Sequence, residues 1–531
     1  MEVIEGLIES LLACNIKDIF TLSNDSLIDI LAAFEKSNFN IHCLYSEENV
    51  PIAAGACATS TRNTTVVLLS DGFSVNKSIN SLIATRVKYC PVLCIIIDNN
   101  QDSVLALKQN NVESLKIDPF LQKYGFQQIN PRLLNQPSNM IAHLKQIHIK
   151  NVPHLLRISL SSNIYPTSTP PLKRQKRDII HHLKKLVPNQ SDPLSIQPTI
   201  NEFIANQHAL AILGNQIHKS NDQANVKKLL QALRIPYVSL PSTKSFVSEN
   251  NEMYLGTYYG NLSSPYLIHH LRDVTHILKI GVEDYPYDFY QSDKYLMEVT
   301  RCPNPKFLSI NADYVFPDYQ IDENKFLSNP IHADSHDRQL LNSTDQAILD
   351  RITSTLSHPS FCPKIIVADV GVTCLSSLDI RLGPTDSYFS NHASASMGLS
   401  LASACGISIA KPSTPVWVLI GDGSLLMALS DLVFLANQKN NINILLLDNQ
   451  QYLTENLRYK TKHHSTPPIN WEYLSKSIGI DHFFRVNTKE QVETCLIESS
   501  NLPSTAFIQI CLNNKNKFDS TILDSLNFLD Q

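Results

Sequence analysis

The sequence predicts an α/β protein of three domains, each built on a doubly wound parallel sheet. Apolar β-branched runs of strand length alternate with helix-like stretches, and this alternation occurs three times along the chain. At 531 residues the chain is too long for one hydrophobic core, and it suits about three domains of ordinary size. Hydrophobic residues at 43% and charged residues at 18% are typical of a globular protein.

The first third of the chain has strand-sized runs at 65–69 and 92–97 and helix-like stretches at 5–14 and 26–35. Strands that alternate with helices indicate βαβ units on a parallel sheet. A Pro-rich and then basic stretch follows at 166–177. We interpret it as a solvated linker, with a nuclear targeting signal as the alternative.

The same alternation returns twice after the linker. The elements predicted there are strands at 209–213, 237–240, 276–280, 365–368, 416–420 and 442–447 and helices at 222–233 and 425–436. The domain boundaries are expected near 165–190 and 335–360. The predicted domains are therefore 1–165, 190–340 and 355–531.

Composition argues against several classes of protein. A net charge of −5 is not that of a nucleic-acid-binding protein. No apolar run approaches the roughly 18 residues that a membrane span requires. The first five residues carry two acids and no basic region, so we expect no secretory signal and a cytoplasmic location.

The eleven cysteines are scattered, and Cys90 and Cys94 lie beside or within a predicted strand, so we expect buried free thiols rather than a disulfide or metal site.

A strand, helix and strand unit carries the most informative residues. Gly421, Asp422 and Gly423 follow one predicted strand, and Asn449 follows the next. In a right-handed parallel crossover both positions lie at the sheet edge where open α/β sheets bind ligands. The helix expected to begin near Ser424 would direct unpaired N–H groups at this crevice, where a diphosphate would sit well. Carboxylate and amide oxygens suit Mg²⁺, although Gly-Asp-Gly is also common in plain turns.

The spacing of this unit resembles the signature of thiamine diphosphate-dependent enzymes. In that family Gly-Asp-Gly is followed, after a spacer of this length, by Asn, and here Asn449 lies 27 positions after Asp422. The resemblance implies that Asp422 and Asn449 bind Mg²⁺ and that Gly421, Gly423 and Ser424 contact the cofactor. A backbone carbonyl two residues after the Asn completes the metal shell in the family, and here it would belong to Gln451.

The segment 395–412 resembles the family segment that precedes the signature. The resemblance implies that Met397 props the cofactor in its bent form and that the carbonyl of Ala395 accepts from the pyrimidine amino group. Met397 as an ordinary core residue is the alternative.

Residues 45–58 resemble the family segment that carries the catalytic glutamate, and Glu47 aligns with it. A carboxylate at a strand end, before an apolar helix, would be partly desolvated, which suits sharing a proton with a ring nitrogen. The alternative is that Glu47 and Glu48 form a solvated helix start.

Two further acids resemble those of pyruvate and indolepyruvate decarboxylases. Residues 19–25 place Asp25 on the active-site aspartate of these enzymes, and Glu455, six residues past Asn449, matches their second acid. The segment 469–473 resembles their Trp-Asp segment. The resemblance therefore implies a thiamine diphosphate- and Mg²⁺-dependent decarboxylase that converts a 2-oxo acid to an aldehyde.

The resemblance fails at several places. The stretch that matches the adjacent His-His pair of these decarboxylases, residues 104–110, contains no histidine. The loops 70–74 and 369–373 depart from the usual Gly and Thr choices, which could alter cofactor affinity. The middle domain has few glycines near 213–216, so we expect no bound FAD or ADP and a structural role.

Two alternative functions stay open. One is a carboligase of the acetolactate synthase type, which also lacks the His pair but normally lacks the counterparts of Asp25 and Glu455. The other is a degenerate relative that acts as a scaffold, for which 15 glycines in 531 residues and the altered loops argue. For an active enzyme the resemblance implies a homodimer or homotetramer with active sites between subunits.

Overall fold

A computed structural model describes most of the chain. The described residues are 2–88, 90–98, 117–159, 200, 203, 205, 208–219, 223–260, 262–282, 306–310, 340–392, 394, 396–458 and 462–513. The chain divides into two compact units. They are residues 1–191 with 402–411 and residues 192–401 with 412–531.

The first unit is built on a six-stranded sheet. Its strands are β1 (Asp18–Thr21), β2 (Asn40–Cys43), β3 (Thr65–Ser70), β4 (Val92–Asp98), β5 (Gln127–Ile129) and β6 (His154–Ser159). Its helices are α1 (Glu2–Ala13), α2 (Ile28–Lys36), α3 (Val50–Thr61), α4 (Phe73–Lys77), α5 (Ile79–Val87), α6 (Ile117–Lys123) and α7 (Pro137–Lys150), with 3-10 turns at Asp25–Leu27 and Pro131–Asn135. The strand order is β2-β1-β3-β4-β6-β5, and every pair is parallel.

Helices cover both faces of this sheet. On one face α1 and α7 share a core with alternate residues of β3 and β4, and α3 contacts β1, β3 and β4. Parallel strands buried on both faces read as continuous apolar runs, which is why 65–69 and 92–97 stand out in the sequence.

The second unit contains two parallel sheets. Its strands are β7 (Ala209–Leu213), β8 (Tyr237–Ser239), β9 (Tyr254–Thr257), β10 (His276–Ile280), β11 (Lys306–Ile310), β12 (Ile365–Ala368), β13 (Ser387–Ser390), β14 (Val416–Gly421), β15 (Ile442–Asp448), β16 (His482–Val486) and β17 (Ala506–Cys511). The sheet orders are β11-β10-β7-β8-β9 and β13-β12-β14-β15-β17-β16.

Helices flank these sheets along the chain. They are α8 (Gln216–Lys219), α9 (Gln223–Leu233), α10 (Pro265–Leu271), α11 (Ser343–Ser357), α12 (Val372–Ser377), α13 (Leu399–Ala410), α14 (Asp422–Met427), α15 (Leu429–Ala436), α16 (Leu453–Arg458), α17 (Trp471–Ser477) and α18 (Lys489–Ser500), with 3-10 turns at Pro241–Thr243, Pro359–Phe361 and Lys462–His464. Residues 402–410 of α13 belong to the first unit. There Gly406 is required, because a Cβ would stand 1.9 Å from the carbonyl oxygen of Ala53 in α3.

The three parallel sheets confirm the predicted fold class. The predicted strands 209–213, 276–280 and 365–368 match β7, β10 and β12 to the residue. The single helix predicted at 425–436 is wrong, because α14 and α15 meet at a break. Ala428 leaves the helical conformation at φ −127° and ψ 27°, and its carbonyl accepts the N–H groups that start α15. The domain boundaries near 165–190 and 335–360 stay a prediction.

The cysteines follow the expectation of buried free thiols in part, since Cys43 is exposed and Cys14, Cys362 and Cys511 are half-buried. All ten cysteines in the described ranges carry free thiols. Cys90 and Cys94 are buried, and burial raises the pKa of the Cys94 thiol to about 12. The prediction of buried free thiols is thus confirmed for this pair. Among the described helices, none combines the length and the apolar character needed to cross a bilayer.

His154 makes the stability of the first unit depend on pH. It is 2% exposed in β6, its Nδ1–H donates to the carbonyl of Val152 at 2.8 Å, and burial lowers its pKa to about 4. Between pH 6.5 and 4 the unfolded chain binds the extra proton, so stability falls as pH falls through this window. His154→Asn keeps an N–H donor and removes the titration. The free energy of unfolding of the parent, relative to this variant, should fall by about 3 kcal/mol from pH 7 to pH 4.

The control is the exposed His148, whose replacement by Asn should leave this pH dependence in place. Denaturant titrations at several pH values measure it. Parallel pH curves for the parent and His154→Asn would contradict the prediction.

Candidate functional site

Three neighbouring strands of the third sheet place buried carboxylates at one edge. In the order β12-β14-β15, Ile365 pairs with Val416 and Val416 with Ile442, so the strands run in parallel and end together. Aspartates occupy the three ends: Asp369 just after β12, Asp422 just after β14, and Asp448 as the last residue of β15. Their exposures are 0%, 3% and 7%. This is the edge at which open α/β sheets bind ligands.

Asp422 is a buried carboxylate whose environment disfavours its charged form. Burial raises its pKa to about 6, and the negative charge of Asp448 adds to this shift. The Thr466 hydroxyl donates to Oδ2 of Asp422, and this bond and the Gly423 N–H oppose the rise in pKa. A carboxylate in this state favours a nearby cation, because a positive charge offsets the cost of desolvation.

Asn449 and Gln451 lie in the tight turn that follows β15. Asn449 is 8% exposed, and its Oδ1 accepts the backbone N–H of Gln451 at 3.3 Å. The loop turns at Gln450, whose φ of 55° is in the left-handed region. Asp422 and Asn449 therefore stand at the ends of paired strands, as the sequence predicts. Which atoms they would present to a metal stays a prediction.

Gly421, the last residue of β14, leaves room beside Asp422. A Cβ on Gly421 would meet nothing within 4 Å, so this position borders open space. A Cβ on Gly423 in α14 would stand 2.3 Å from the ring of Tyr452, so a larger residue there would displace that ring. Ser424 is buried in the first turn of α14, which begins at Asp422 rather than near Ser424. Open space beside a buried carboxylate fits a diphosphate held through a cation.

Asp369 is a site residue that sequence reasoning did not single out. Its carboxylate accepts the backbone N–H of Gly398 at 3.1 Å and those of Val370 and Ser400 at 3.0 and 3.2 Å. Gly398 has φ 85°, and a Cβ there would stand 3.1 Å from the carbonyl of Ser424. These contacts bring the half-buried Met397 next to α14. Ala395 lies outside the described residues.

Asp448 is held by two side chains. Trp471 donates its Nε1–H to Oδ2 of Asp448 at 3.1 Å, and Gln509 donates its Nε2–H to the same oxygen at 2.7 Å. Trp471 is 2% exposed. In the sequence, Trp471 is connected to the site only through the resemblance of segment 469–473. Its hydrogen bond to Asp448 explains how this residue supports the strand end.

Glu455 is an exposed residue of α16, close to the loop after β12. Thr454, the residue before it, is close to Gly371 in that loop: a Cβ added to Gly371 would stand 3.8 Å from Oγ1 of Thr454. The helix that carries Glu455 therefore stands at the same edge as Asp369. Its catalytic role stays a prediction.

Glu47 lies in the first unit, in the turn that precedes α3. Its side chain is 13% exposed, and its Oε2 is 3.3 Å from Nζ of Lys77, which is 66% exposed. Hydroxyl groups of Ser78 and Ser81 donate to the backbone carbonyls of Glu47 and Glu48. Glu47 is therefore largely shielded in a fixed turn, whereas the Glu48 side chain is exposed.

Asp25 is exposed at the start of the 3-10 turn after β1. Asn24 fixes this turn, because its Oδ1 accepts the N–H of Ser26 and its Nδ2–H donates to Ser70 Oγ at the end of β3. Asp25 therefore follows the end of a central strand of this sheet. Its role in catalysis stays a prediction.

The donor set suits a hard cation that is shared with a ligand. The described ranges contain no cluster of three or more His, Cys, Asp or Glu residues that could hold a metal. Asp422 supplies a carboxylate, and Asn449 and Gln451 supply amide and backbone oxygens. Mg²⁺ is commonly bound by one or two carboxylates together with the phosphates of its ligand, so these residues fit it.

Comparison with known families identifies the class of this protein. A family model described as the thiamine pyrophosphate enzyme N-terminal TPP binding domain matches residues 1–129, and one described as the C-terminal TPP binding domain matches residues 369–510. Together they cover half of the chain. The chain therefore belongs to the thiamine pyrophosphate enzyme family.

Within that family, curated relatives include decarboxylases. The chain is 23% identical over 318 residues to an alpha-keto-acid decarboxylase of Mycobacterium avium, covering 55% of each protein. It is 21% identical over 371 residues to a pyruvate decarboxylase of Candida albicans, covering 64% of this chain and 59% of the relative. The chain thus matches these relatives over little more than half of their length.

Solved structures share the fold. Benzoylformate decarboxylase of Polynucleobacter necessarius superposes with a TM-score of 0.72 at 15% identity, over 97% of this chain and 99% of that one. A Mycobacterium smegmatis protein described as a thiamin diphosphate-dependent enzyme gives 0.70 at 15% identity, over 96% and 99%.

Proposed function

We propose that this protein uses thiamine diphosphate and Mg²⁺ to decarboxylate a 2-oxo acid to an aldehyde. The observation that carries the proposal is the buried Asp422 carboxylate, with its raised pKa, at a strand end next to that of Asn449. The names of the relatives, alpha-keto-acid decarboxylase and pyruvate decarboxylase, support the reaction class. The sequence favours a cytoplasmic enzyme, assembled as a homodimer or homotetramer with active sites between subunits.

The third sheet would hold the charged end of the cofactor. Asp422, the amide oxygen of Asn449 and the backbone carbonyl of Gln451 would bind Mg²⁺, and the open space beside Gly421 would receive the diphosphate. Met397, next to α14, would support the bent cofactor, as the resemblance implies. Thiamine diphosphate, when bound, supplies the electron sink that loss of carbon dioxide requires.

Glu47 would hold a proton at the pyrimidine ring nitrogen. The contact of its Oε2 with Lys77 opposes this role little, because ion pairs with exposed lysines are weak. The Ser78 hydroxyl, which donates to the backbone carbonyl of Glu47, would keep the turn in place. Asp25 and Glu455 would move protons around the substrate.

A carboligase reaction of the acetolactate synthase type is the second candidate. The observation that favours it is the absence of histidine in the stretch 104–110, which lies outside the described residues. A non-catalytic scaffold is the third. A panel of 2-oxo acids, with assays for aldehyde and for 2-hydroxy-3-oxo acids, tests all three. We expect an aldehyde from at least one substrate. Only condensation products would favour the carboligase, and no turnover of any substrate would favour the scaffold.

Asp422→Ala should abolish Mg²⁺-dependent binding of thiamine diphosphate. The variant removes the charged ligand and leaves the diphosphate charge poorly compensated. Calorimetry with Mg²⁺ and thiamine diphosphate measures the loss. Glu48→Gln is the control, because Glu48 is exposed, and this variant should bind as the parent does. Unchanged affinity in Asp422→Ala would mean that the signature is accidental.

Glu47→Gln should separate binding from proton transfer. The cofactor should stay bound, because the proposed metal and diphosphate contacts lie at residues 421–451. Hydrogen–deuterium exchange at thiamine C2 should slow by about 100-fold to 10,000-fold, the usual contribution of a positioned proton-transfer group. This exchange needs no knowledge of the substrate.

Glu48→Gln is the matched control for Glu47, since it is adjacent, equally charged and exposed. Its exchange rate should equal that of the parent. If Glu48→Gln slows exchange and Glu47→Gln does not, the alignment of this segment is wrong by one residue.

A further inference from the structure

Thr466 contacts a proposed metal ligand although it lies outside the Gly-Asp-Gly and Asn signature. Its hydroxyl donates to Oδ2 of Asp422, and the two residues are 7% and 3% exposed. An ionised carboxylate only accepts hydrogen bonds, so the hydroxyl proton must point at Asp422. The protein therefore holds one of the two carboxylate oxygens independently of any cation.

A short strap, residues 463–466, carries Thr466 to this position. Pro467 follows the strap and restricts Thr466 to an extended conformation. Backbone contacts fasten the strap to residues 450–452: Tyr452 N–H to His464 O at 2.7 Å, Thr466 N–H to Gln450 O at 3.1 Å, and an antiparallel bridge between Gln451 and Ser465.

The strap also connects Asp422 to the other proposed ligands. Gln451, which it pairs with, donates its backbone N–H to Oδ1 of Asn449 at 3.3 Å. The Thr466 hydroxyl and the Gln451 backbone are thus parts of one hydrogen-bonded unit. This unit fixes the orientation of both Asp422 and Asn449.

We propose that Thr466 is a positioning residue that fixes Asp422 as a one-oxygen ligand and thereby favours Mg²⁺ over Ca²⁺. The inference rests on the proposed function, since it assumes that Asp422 binds the cation. Ca²⁺ accepts carboxylates through both oxygens in flexible geometries, whereas Mg²⁺ demands a near-octahedral shell at short distances. The Thr466 hydroxyl occupies one lone pair of Oδ2 and fixes the rotation of the carboxylate, which hinders the reorientation that two-oxygen binding of Ca²⁺ would need.

Thr466→Val tests the hydroxyl, because valine keeps the shape and lacks the donor. Mg²⁺ and Ca²⁺ are titrated separately into the full-length apoprotein with thiamine diphosphate present, and calorimetry gives both affinities. Thr466→Val should weaken Mg²⁺ binding by about 10-fold to 100-fold, the usual effect of losing a residue that orients a metal ligand. Ca²⁺ binding should weaken less, so the ratio of the two affinities falls. Thr466→Ser keeps the hydroxyl and should preserve the parent's ratio.

Three results would overturn the proposal: parental Mg²⁺ affinity in Thr466→Val, equal losses for Mg²⁺ and Ca²⁺, or a Thr466→Ser variant as weak as Thr466→Val. Thermal unfolding shows whether each variant is folded, and Thr466→Ala replaces Thr466→Val if the latter does not fold. A parent that binds neither cation with thiamine diphosphate would instead refute the proposed function. A parent that binds Mg²⁺ while Thr466→Val is unchanged refutes only the role of Thr466.

Discussion

The third sheet depends on compensating three buried aspartates at neighbouring strand ends. Removing a carboxylate from water costs several kcal/mol unless hydrogen bonds or an opposite charge replace the lost solvation. Backbone N–H groups donate hydrogen bonds to Asp369. The side chains of Trp471 and Gln509 donate to Asp448. The Thr466 hydroxyl and a backbone N–H donate to Asp422. The loops after β12 and β15 and the strap before α17 are therefore organised around these carboxylates.

Asp422 is the proposed metal ligand among these aspartates. Burial raises its pKa to about 6, and the charge of Asp448 adds to the shift, which the Thr466 hydroxyl opposes. A raised pKa means that the folded protein disfavours the charged form of this carboxylate. A bound cation would stabilise that charged form. Perturbed acids of this kind occur preferentially at functional sites, and the match to the C-terminal TPP binding domain covers this one.

The two units supply different chemistry. The second offers oxygen ligands and open space at a strand edge, which suit a charged group. The first offers Glu47, which is shielded in a turn before a helix of small residues and pairs with an exposed lysine. Binding and proton transfer can therefore be tested independently, since the residues proposed for each lie on separate units.

The sequence by itself determined the fold class, several of the strands, and the positions of Asp422 and Asn449 at strand ends. Strands buried on both faces require continuous apolar runs, so the sequence predicts the bounds of β7, β10 and β12 to the residue. One strand, helix and strand unit separates Asp422 from Asn449, so their spacing predicts that both lie at strand ends. Only the tertiary structure decided what surrounds them. Thr466 is 44 residues from Asp422, and Gln509 is 61 residues from Asp448. Such side-chain contacts have no periodicity in the sequence, because they depend on where loops bring distant residues together. The break at Ala428 also had no signal in the sequence, since no Gly or Pro marks it.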